Sequence, residues 1–217
     1  KGKTAAFVGP SGSGKTSLVK LLVSLYKPKS GDILYNDISV NDINLNTIRS
    51  QFNFLTQDTQ LFSGTIKENL KFVNPQATDE ECLDALHKSA ARSLLDRASN
   101  GMDTMIGEGG IKVSGGEKQR ISIARALLRN PSIVVFDEAT SALDSITEEE
   151  ISKTIRDLGK DEKRMTVLIA HRLSTVMHSD CIYVLEKGKV IETGTHEELL
   201  KQNGLYFAMW RQQIGER

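Results

Sequence analysis

The stretch of sequence that decides the fold is Gly9-Pro10-Ser11-Gly12-Ser13-Gly14-Lys15-Thr16. It fits the pattern of a phosphate-binding loop, in which a glycine and any four residues are followed by Gly-Lys-Ser or Gly-Lys-Thr. Residues 5–8 before it form an apolar run typical of a buried strand, and residues 17–25 after it carry leucines at helical spacing. The motif therefore lies between a strand and the start of a helix, which is the context it requires.

The residue types of this loop suit the phosphates of a nucleotide. Glycines allow a sharply turned backbone that directs successive N–H groups inward, and the start of the helix adds partial positive charge. Lys15 is placed to reach the terminal phosphates, and the Thr16 hydroxyl is a ligand for Mg²⁺. The alternative, a Gly- and Ser-rich connection with a chance lysine, is disfavoured by the flanking strand and helix. The predicted nucleotide-binding residues are Gly9, Pro10, Ser11, Gly12, Ser13, Gly14, Lys15, Thr16 and Ser17.

Composition limits the classes of protein to consider. The chain has 217 residues, enough for one or two domains with a core, and its 26% charged and 39% hydrophobic residues are typical of a globular protein. Lys plus Arg equals Asp plus Glu at 28 each, so no basic field favours a nucleic-acid partner. Cys82 and Cys181 fit no metal spacing and are expected to be buried and unbridged. His87, His178 and His196 show no partner pattern and are expected at the surface.

Strand-type and helix-type segments alternate along the chain, which predicts an α/β fold with a mostly parallel central sheet. We expect a P-loop NTPase core formed by residues 1–64 and 130–217, with a small, incomplete antiparallel β part. Residues 65–129 read as an inserted helical subdomain, within a single domain of residues 1–217. Because the chain starts at Lys1 without Met and almost directly with a core strand, we also expect a further segment upstream.

A second chemical motif ends the apolar run of residues 133–136, which is followed by Asp137 and Glu138. A buried strand that ends in carboxylates places them where α/β sheets carry out their chemistry. We predict that Asp137 holds Mg²⁺, directly or through water, and that Glu138 orients and deprotonates an attacking water. The alternative, an acidic strand end that caps the next helix, is disfavoured by the phosphate loop in the same chain.

Residues 113–120 read Val-Ser-Gly-Gly-Glu-Lys-Gln-Arg, which resembles the signature motif of ABC-type ATPases. The resemblance covers essentially the whole chain. Gln57 matches the glutamine of the family's Q-loop, Asp144 in Ser-Ala-Leu-Asp matches the D-loop, and His171 matches the switch histidine. These motifs follow one another in the family's order.

The resemblance implies that ATP and Mg²⁺ are the cofactors and that two nucleotide-binding domains dimerise head-to-tail around two ATP molecules. It implies hydrolysis of ATP by Glu138, His171 and Gln57, with Thr16, Gln57 and Asp137 as the Mg²⁺ ligands. It also implies that a second copy contributes the residues of its signature motif and its D-loop. These residues are Ser114, Gly115, Gly116, Glu117 and Asp144.

The signature motif has a structural reading of its own. Ser114 and Glu117 fit the Ser-x-x-Glu capping box, which would start a helix from Gly116 onward. The same hydroxyl, small residues and bare N–H groups also form an anion site. Glu117 departs from the family's usual glutamine, and a carboxylate there repels phosphate unless it turns back to the Ser114 backbone or pairs with Lys118. Our hypothesis is that the capping box engages Glu117 and makes it tolerable.

Two other stretches resemble the exporter branch of the family. They are residues 61–66, Leu-Phe-Ser-Gly-Thr-Ile, and residues 106–110, Ile-Gly-Glu-Gly-Gly. The latter has Gly109 where the family usually has Arg, so that arginine's contact is missing. The signature region and residues 144–149 are most similar to mitochondrial iron–sulfur-linked exporters and their bacterial relatives. An exporter implies a transmembrane domain as partner, and an ATPase domain at the membrane on its cytoplasmic or matrix side.

Other functions within the family remain open. An ATPase of the chromosome or translation type is disfavoured because no sustained heptad lies between Lys15 and Ser114. A regulatory half with an inactive site is disfavoured by intact Glu138 and His171, and an importer subunit by the two exporter-like stretches. The family's adenine-stacking aromatic belongs upstream of the first strand, so we expect weakened ATP affinity in residues 1–217 alone.

Overall fold

The computed structural model describes residues 2–56, 60–137, 145–159 and 162–215, with Ser145 described by its backbone alone. These residues fall into two compact units. The first unit holds residues 2–54, 131–137, 159 and 162–215. The second unit holds residues 55–56, 60–130 and 145–158. The domain boundaries expected from the sequence, 1–64 with 130–217 and 65–129, remain a prediction.

Strands and helices alternate along the described chain. The strands are β1 (Lys3–Val8), β2 (Leu34–Tyr35), β3 (Ile38–Ser39), β4 (Phe52–Thr56), β5 (Gly64–Thr65), β6 (Met105–Ile106), β7 (Ile133–Asp137), β8 (Met165–Ile169), β9 (Cys181–Glu186) and β10 (Lys189–Gly194). The helices are α1 (Lys15–Leu22), α2 (Leu45–Gln51), α3 (Ile66–Lys71), α4 (Asp79–Lys88), α5 (Arg92–Arg97), α6 (Gly115–Arg129), α7 (Ser145–Gly159), α8 (Leu173–Val176), α9 (His196–Gln202) and α10 (Leu205–Ile214). Short 3₁₀ turns occupy Val40–Asp42 and Gly101–Asp103.

The central sheet has the strand order β10-β9-β1-β8-β7-β4. Strands β9, β1, β8 and β7 run parallel, and β10 pairs antiparallel with β9 across a turn at Gly188. Gly188 has a φ of 78°, a left-handed conformation that glycine adopts without strain. Strands β2 and β3 form a separate antiparallel pair. The expected α/β fold, with a mostly parallel sheet and a small antiparallel part, is confirmed.

The core of the first unit lies between the central sheet and α1. Phe7, Val135, Val167 and Ile169 from three parallel strands are buried, and Val19 of α1 packs against them. The strands read as continuous apolar runs because both faces of a parallel sheet are covered. Each fully buried side chain of this size stabilises the unit by about 1.5–3 kcal/mol relative to an exposed one.

The second unit is mostly helical, and its core lies between α3, α4 and α6. Ile66, Leu70, Leu86 and Ile121 are fully buried there. Thr65 caps α3, and its capping box with Glu68 fixes where that helix starts. Thr78 and Glu81 do the same for α4. Capping of this kind satisfies N–H groups that a helix start otherwise leaves without partners.

The last two helices of the first unit pack around His196, which is half-buried and so corrects the expectation that it lies at the surface. Its Nδ1 lies 2.7 Å from the Tyr206 hydroxyl, and its ring meets the Trp210 ring edge-on at 4.6 Å between centroids. Burial lowers the pKa of His196 and raises the pKa of Tyr206 to about 12. Trp210 thus joins the two helices α9 and α10 through its contact with His196.

The two cysteines are free: Cys82 is buried and Cys181 is half-buried. Cys82 thus behaves as the small buried residue that the sequence predicts. Burial raises the pKa of its thiol, which makes the thiolate form less accessible. Within the described ranges, none of the helices combines the length and apolar character that crossing a membrane would require.

Candidate nucleotide-binding site

The register of the parallel strands brings the predicted site residues of the first unit to one edge of the sheet. Phe7 of β1 and Asp137 of β7 both lie opposite Ile169 of β8. Gly9 follows Phe7 by two residues, and His171 follows Ile169 by two. The phosphate loop, Asp137 and His171 therefore all begin at the carboxyl ends of adjacent strands, where open α/β sheets bind their ligands.

The phosphate loop turns as sharply as the sequence predicts, because its glycines take positive φ angles. Gly9, Gly12 and Gly14 have φ values of 148°, 75° and 100°. A Cβ on Gly9 would lie 2.1 Å from the carbonyl oxygen of Leu185, so no larger residue fits there. Gly14 is the N-cap residue of α1, and no described side chain caps the N–H groups of that first turn. A helix start without a side-chain cap favours an anion.

Lys15 is buried inside the loop, with only 5% of its surface exposed. Its Nζ donates hydrogen bonds to the carbonyl oxygens of Gly9 at 2.9 Å and Pro10 at 3.1 Å. A buried ammonium group needs such acceptors, and a phosphate would offer stronger ones. The buried Ser13 hydroxyl has no hydrogen-bond partner among the described residues. An orphaned hydroxyl and a buried cation in the same loop fit a ligand rich in acceptor oxygens.

Thr16 and Asp137 meet at the end of the sheet. The Thr16 hydroxyl donates to Oδ1 of Asp137 at 3.3 Å, and Asp137 is 9% exposed. A hydroxyl and a carboxylate side by side are the hard oxygen ligands that Mg²⁺ accepts, with water and phosphate oxygens completing its coordination. These two residues therefore fit the ion and would be its ligands from the described part of the site.

His171 lies at the surface on the loop after β8, and its position is fixed by a residue that sequence reasoning missed. The side-chain amide of Gln213, on α10, donates to the carbonyl oxygen of His171 at 2.6 Å. The same amide accepts from the N–H of Leu173 at 2.8 Å. Gln213 thus holds the backbone on both sides of this loop. His171 and Leu173 lie about 40 residues before Gln213 along the chain, and no sequence motif links them to it.

Three predicted site residues lie outside the described residues. They are Gln57, predicted as a Mg²⁺ ligand and water sensor, Glu138, predicted as the general base, and Asp144 of the D-loop. Their roles stay predictions from the sequence.

The signature motif starts α6 in the second unit. The Ser114 hydroxyl accepts from the N–H of Glu117 at 3.2 Å, and the Glu117 carboxylate accepts from the N–H of Ser114 at 2.9 Å. This is the predicted capping box, and the helix begins one residue earlier than expected, at Gly115. Gly116 is buried, and a Cβ there would lie 2.4 Å from the Thr147 side chain. Only glycine fits where α7 packs against this turn.

Glu117 has a second partner, Arg97, which the sequence did not indicate. The Nη2 atom of Arg97 lies 2.7 and 2.8 Å from the two carboxylate oxygens. Burial by itself raises the pKa of Glu117, but the Ser114 backbone and the Arg97 guanidinium outweigh it and leave the pKa below its ordinary value. Glu117 is therefore ionised and paired near neutral pH. Its ion-pair partner is Arg97 rather than the alternative considered from the sequence, Lys118.

The two exporter-like stretches lie side by side in the second unit. Gly64 and Thr65 pair with Ile106 and Met105 in the β5–β6 ladder. The Ser63 hydroxyl also donates to the carbonyl oxygen of Glu108 at 3.0 Å. A separation of 45 residues along the chain hides this contact from sequence reasoning. The stretches that carried the exporter resemblance thus form one local structure.

Taken together, the sheet edge and its loop define a nucleotide-binding protein of the P-loop class. A family model described as ABC transporter matches residues 1–141, more than half of the chain. The chain belongs to the ABC transporter family, whose members bind ATP. The resemblance stated from the signature motif is thereby confirmed.

Several similar proteins are described as transporters or exporters. The ABC transporter ATM1 of Toxoplasma gondii is 49% identical over 213 residues, which cover 98% of this chain and 19% of that protein. A putative multidrug export ATP-binding/permease protein of Staphylococcus aureus is 46% identical over 206 residues, which cover 95% of this chain and 35% of that protein. A solved structure of a bacterial Atm1-family ABC exporter with ATP bound matches with a TM-score of 0.89 and 42% identity. The match covers 98% of this chain and 37% of the chain in that structure. The chain thus spans between about a fifth and about two fifths of these proteins' lengths.

Proposed function

We propose that the chain is the ATP-hydrolysing domain of an ABC exporter. It binds Mg·ATP, dimerises head-to-tail with a second nucleotide-binding domain and uses hydrolysis to drive export through transmembrane helices. The observation that carries the proposal is the phosphate loop, with Lys15 buried in it and Thr16 against Asp137, in a chain whose similar proteins are exporters.

In this proposal the first unit supplies the groups that bind and position ATP. The first-turn N–H groups of α1 and the Lys15 ammonium take the phosphate oxygens. Thr16 and Asp137 hold Mg²⁺, which when bound would neutralise charge on the phosphates. His171 reaches the γ-phosphate, and its loop is fixed by Gln213. Phosphoryl transfer depends on positioning and charge neutralisation more than on covalent chemistry, so these roles suit the reaction.

The remaining roles are assigned from the resemblance. Glu138 accepts a proton from the attacking water, and Gln57 senses the ion and the water. The signature motif of the second copy, with Ser114 and Gly116 at the start of its α6, meets the γ-phosphate from the opposite side. A helix start with bare N–H groups is suited to that contact.

Membrane association follows from the same proposal, through a transmembrane domain as partner. The ATPase domain would lie on the cytoplasmic or matrix side. A chromosome-type or translation-type ATPase and an importer subunit are not favoured, because the similar proteins named above are transporters and exporters. The transported substrate would be selected by the transmembrane partner.

A first prediction tests the need for two copies. The purified chain of residues 1–217 should release phosphate from ATP slowly, with a specific activity that rises as protein concentration rises over about a hundredfold range, because the active dimer forms by mass action. Phosphate release at saturating Mg·ATP measures this, with Asp137→Asn as the inactive control. A specific activity that does not change with concentration would contradict the two-copy site.

A further inference from the structure

The Arg97–Glu117 pair lies at the helix start that the proposed function aims at a phosphate. The Glu117 side chain is 8% exposed and the Arg97 side chain 52% exposed. One guanidinium nitrogen contacts both carboxylate oxygens, and the same nitrogen lies 3.4 Å from the Lys112 carbonyl oxygen. Arg97 therefore binds both the carboxylate and the chain that leads into the signature motif.

The Glu117 carboxylate would repel a phosphate at the start of α6 unless a positive group neutralises it. Glu117 is the third residue of α6, so its charge lies within one turn of the N–H groups proposed to face the γ-phosphate. Two negative groups at such a distance repel each other, and the repulsion grows as the interface excludes water. The capping bond from the Ser114 N–H orients the carboxylate but adds no full positive charge.

We propose that Arg97 is a positioning residue for the proposed ATPase reaction. Its guanidinium holds the Glu117 carboxylate turned back toward Ser114 and cancels its charge, so that the N-terminus of α6 can accept the γ-phosphate of another copy's ATP. This inference rests on the proposed function, since it requires that the signature motif meets bound ATP. It adds to that function an electrostatic partner that lies 20 residues before the signature glutamate.

The geometry favours Arg97 over other cations for this role. Lys118 is adjacent in sequence, but it is exposed and forms no ion pair within the described part of the chain. Arginine stays charged at all working pH values, and its donors can serve several oxygens at once. Because half of the Arg97 side chain remains in solvent, the pair contributes little to folding but sets the charge that a ligand at α6 meets.

The test removes Arg97 in two backgrounds and measures kcat and KM for ATP on the purified protein. In the native background, Arg97→Ala should lower kcat/KM about tenfold, mainly through KM, because an uncompensated charge then faces the phosphate. In the Glu117→Gln background, the same change should alter kcat/KM less than about twofold, since no charge remains to be cancelled. Raising the salt concentration should shrink the Arg97→Ala defect, because salt screens exposed charges.

Two controls make the comparison specific. Arg92→Ala changes an exposed arginine on α5 that makes no ion pair among the described residues. Arg97→Lys keeps the charge and should retain activity within about threefold of the native protein. Thermal unfolding shows whether each variant folds. If Arg97→Ala does not fold, Arg97→Lys still allows the inference to be tested.

The kcat/KM values in the two backgrounds distinguish a positioning role of Arg97 from a structural one. An equal loss from Arg97→Ala in both backgrounds would mean a structural role and overturn the inference, and so would no loss in either. If the native protein hydrolyses no ATP, or if Glu138→Gln is as active as the native protein, the proposed function fails and the inference fails with it. The inference alone would be refuted if the native protein hydrolyses ATP, Glu138→Gln is inactive and Arg97→Ala is unaffected. The proposed function would then still stand.

Discussion

Glu138→Gln should lower ATP turnover by about 100-fold or more while leaving ATP binding intact. The reason is that glutamine keeps the shape of the side chain but cannot accept a proton from water, and general-base catalysis contributes about 10²–10⁴-fold. With hydrolysis blocked, ATP should accumulate between two copies. Single-turnover hydrolysis and sedimentation with Mg·ATP measure the two effects.

The variant should therefore be inactive and dimeric with ATP, and monomeric without it. Glu197→Gln, an exposed glutamate in the first turn of α9, is the matched control and should behave as the native chain. Normal turnover in Glu138→Gln would show that another group activates the water. If turnover is lost but no ATP-dependent dimer forms, the assignment of Glu138 as general base would stand. The prediction that ATP joins two copies would be weakened.

Lys15→Ala should abolish ATP hydrolysis, with a loss of about 100-fold or more, because it removes the positive charge that meets the terminal phosphates. The structure adds a second reason. The Lys15 ammonium holds the carbonyl oxygens of Gly9 and Pro10, so its loss also frees the loop that it braces. Binding of ATP, measured by a fluorescent analogue, should weaken at least about tenfold.

Lys20→Ala is the matched control for this change, since Lys20 lies on the same helix with its Nζ 5.6 Å from the centre of the Tyr26 ring. It should leave hydrolysis within about twofold of the native rate. Thermal unfolding of both variants separates a lost charge from a lost fold. Turnover close to native in folded Lys15→Ala would remove the phosphate loop from the mechanism.

The parts of the fold that the sequence predicts are those set by local patterns. The apolar runs predict β1, β7 and β8, because a covered parallel strand is apolar throughout. The Ser-x-x-Glu spacing predicts the capping box of α6, since both partners lie within one helical turn. Helix ends were less predictable, and backbone conformation explains why. Ser24 lies just after α1 and Ala90 just before α5, and both have φ values of 56°, a left-handed conformation that a regular helix does not contain.

Contacts between distant residues could not be predicted. Arg97 and Gln213 carry no periodicity and match no motif, so their roles beside Glu117 and His171 depend on the folded chain alone. The pairing of β5 with β6 joins stretches of two residues each, too short for a strand pattern. The sequence indicates candidate ligands for phosphate and Mg²⁺ because these groups restrict residue types more than packing does, and the catalytic roles of these residues stay predictions.

The central claim is that each nucleotide site is completed by a second copy, and mixing two inactive variants tests it most directly. Lys15→Ala has an inactive phosphate loop and an intact signature motif. Ser114→Glu has an intact loop and a signature motif whose new carboxylate repels phosphate. Each variant alone should hydrolyse ATP at less than about 1% of the native rate.

A mixed dimer of these two variants contains one complete site, formed by the native loop of one copy and the native signature of the other. Equal amounts mixed and allowed to exchange should regain up to about a quarter of native activity, since half of random dimers are mixed and each has one good site of two. The measurement is phosphate release by the mixture against the sum of its components. Activity well above that sum is the predicted result, and activity equal to the sum would contradict a site shared between two copies.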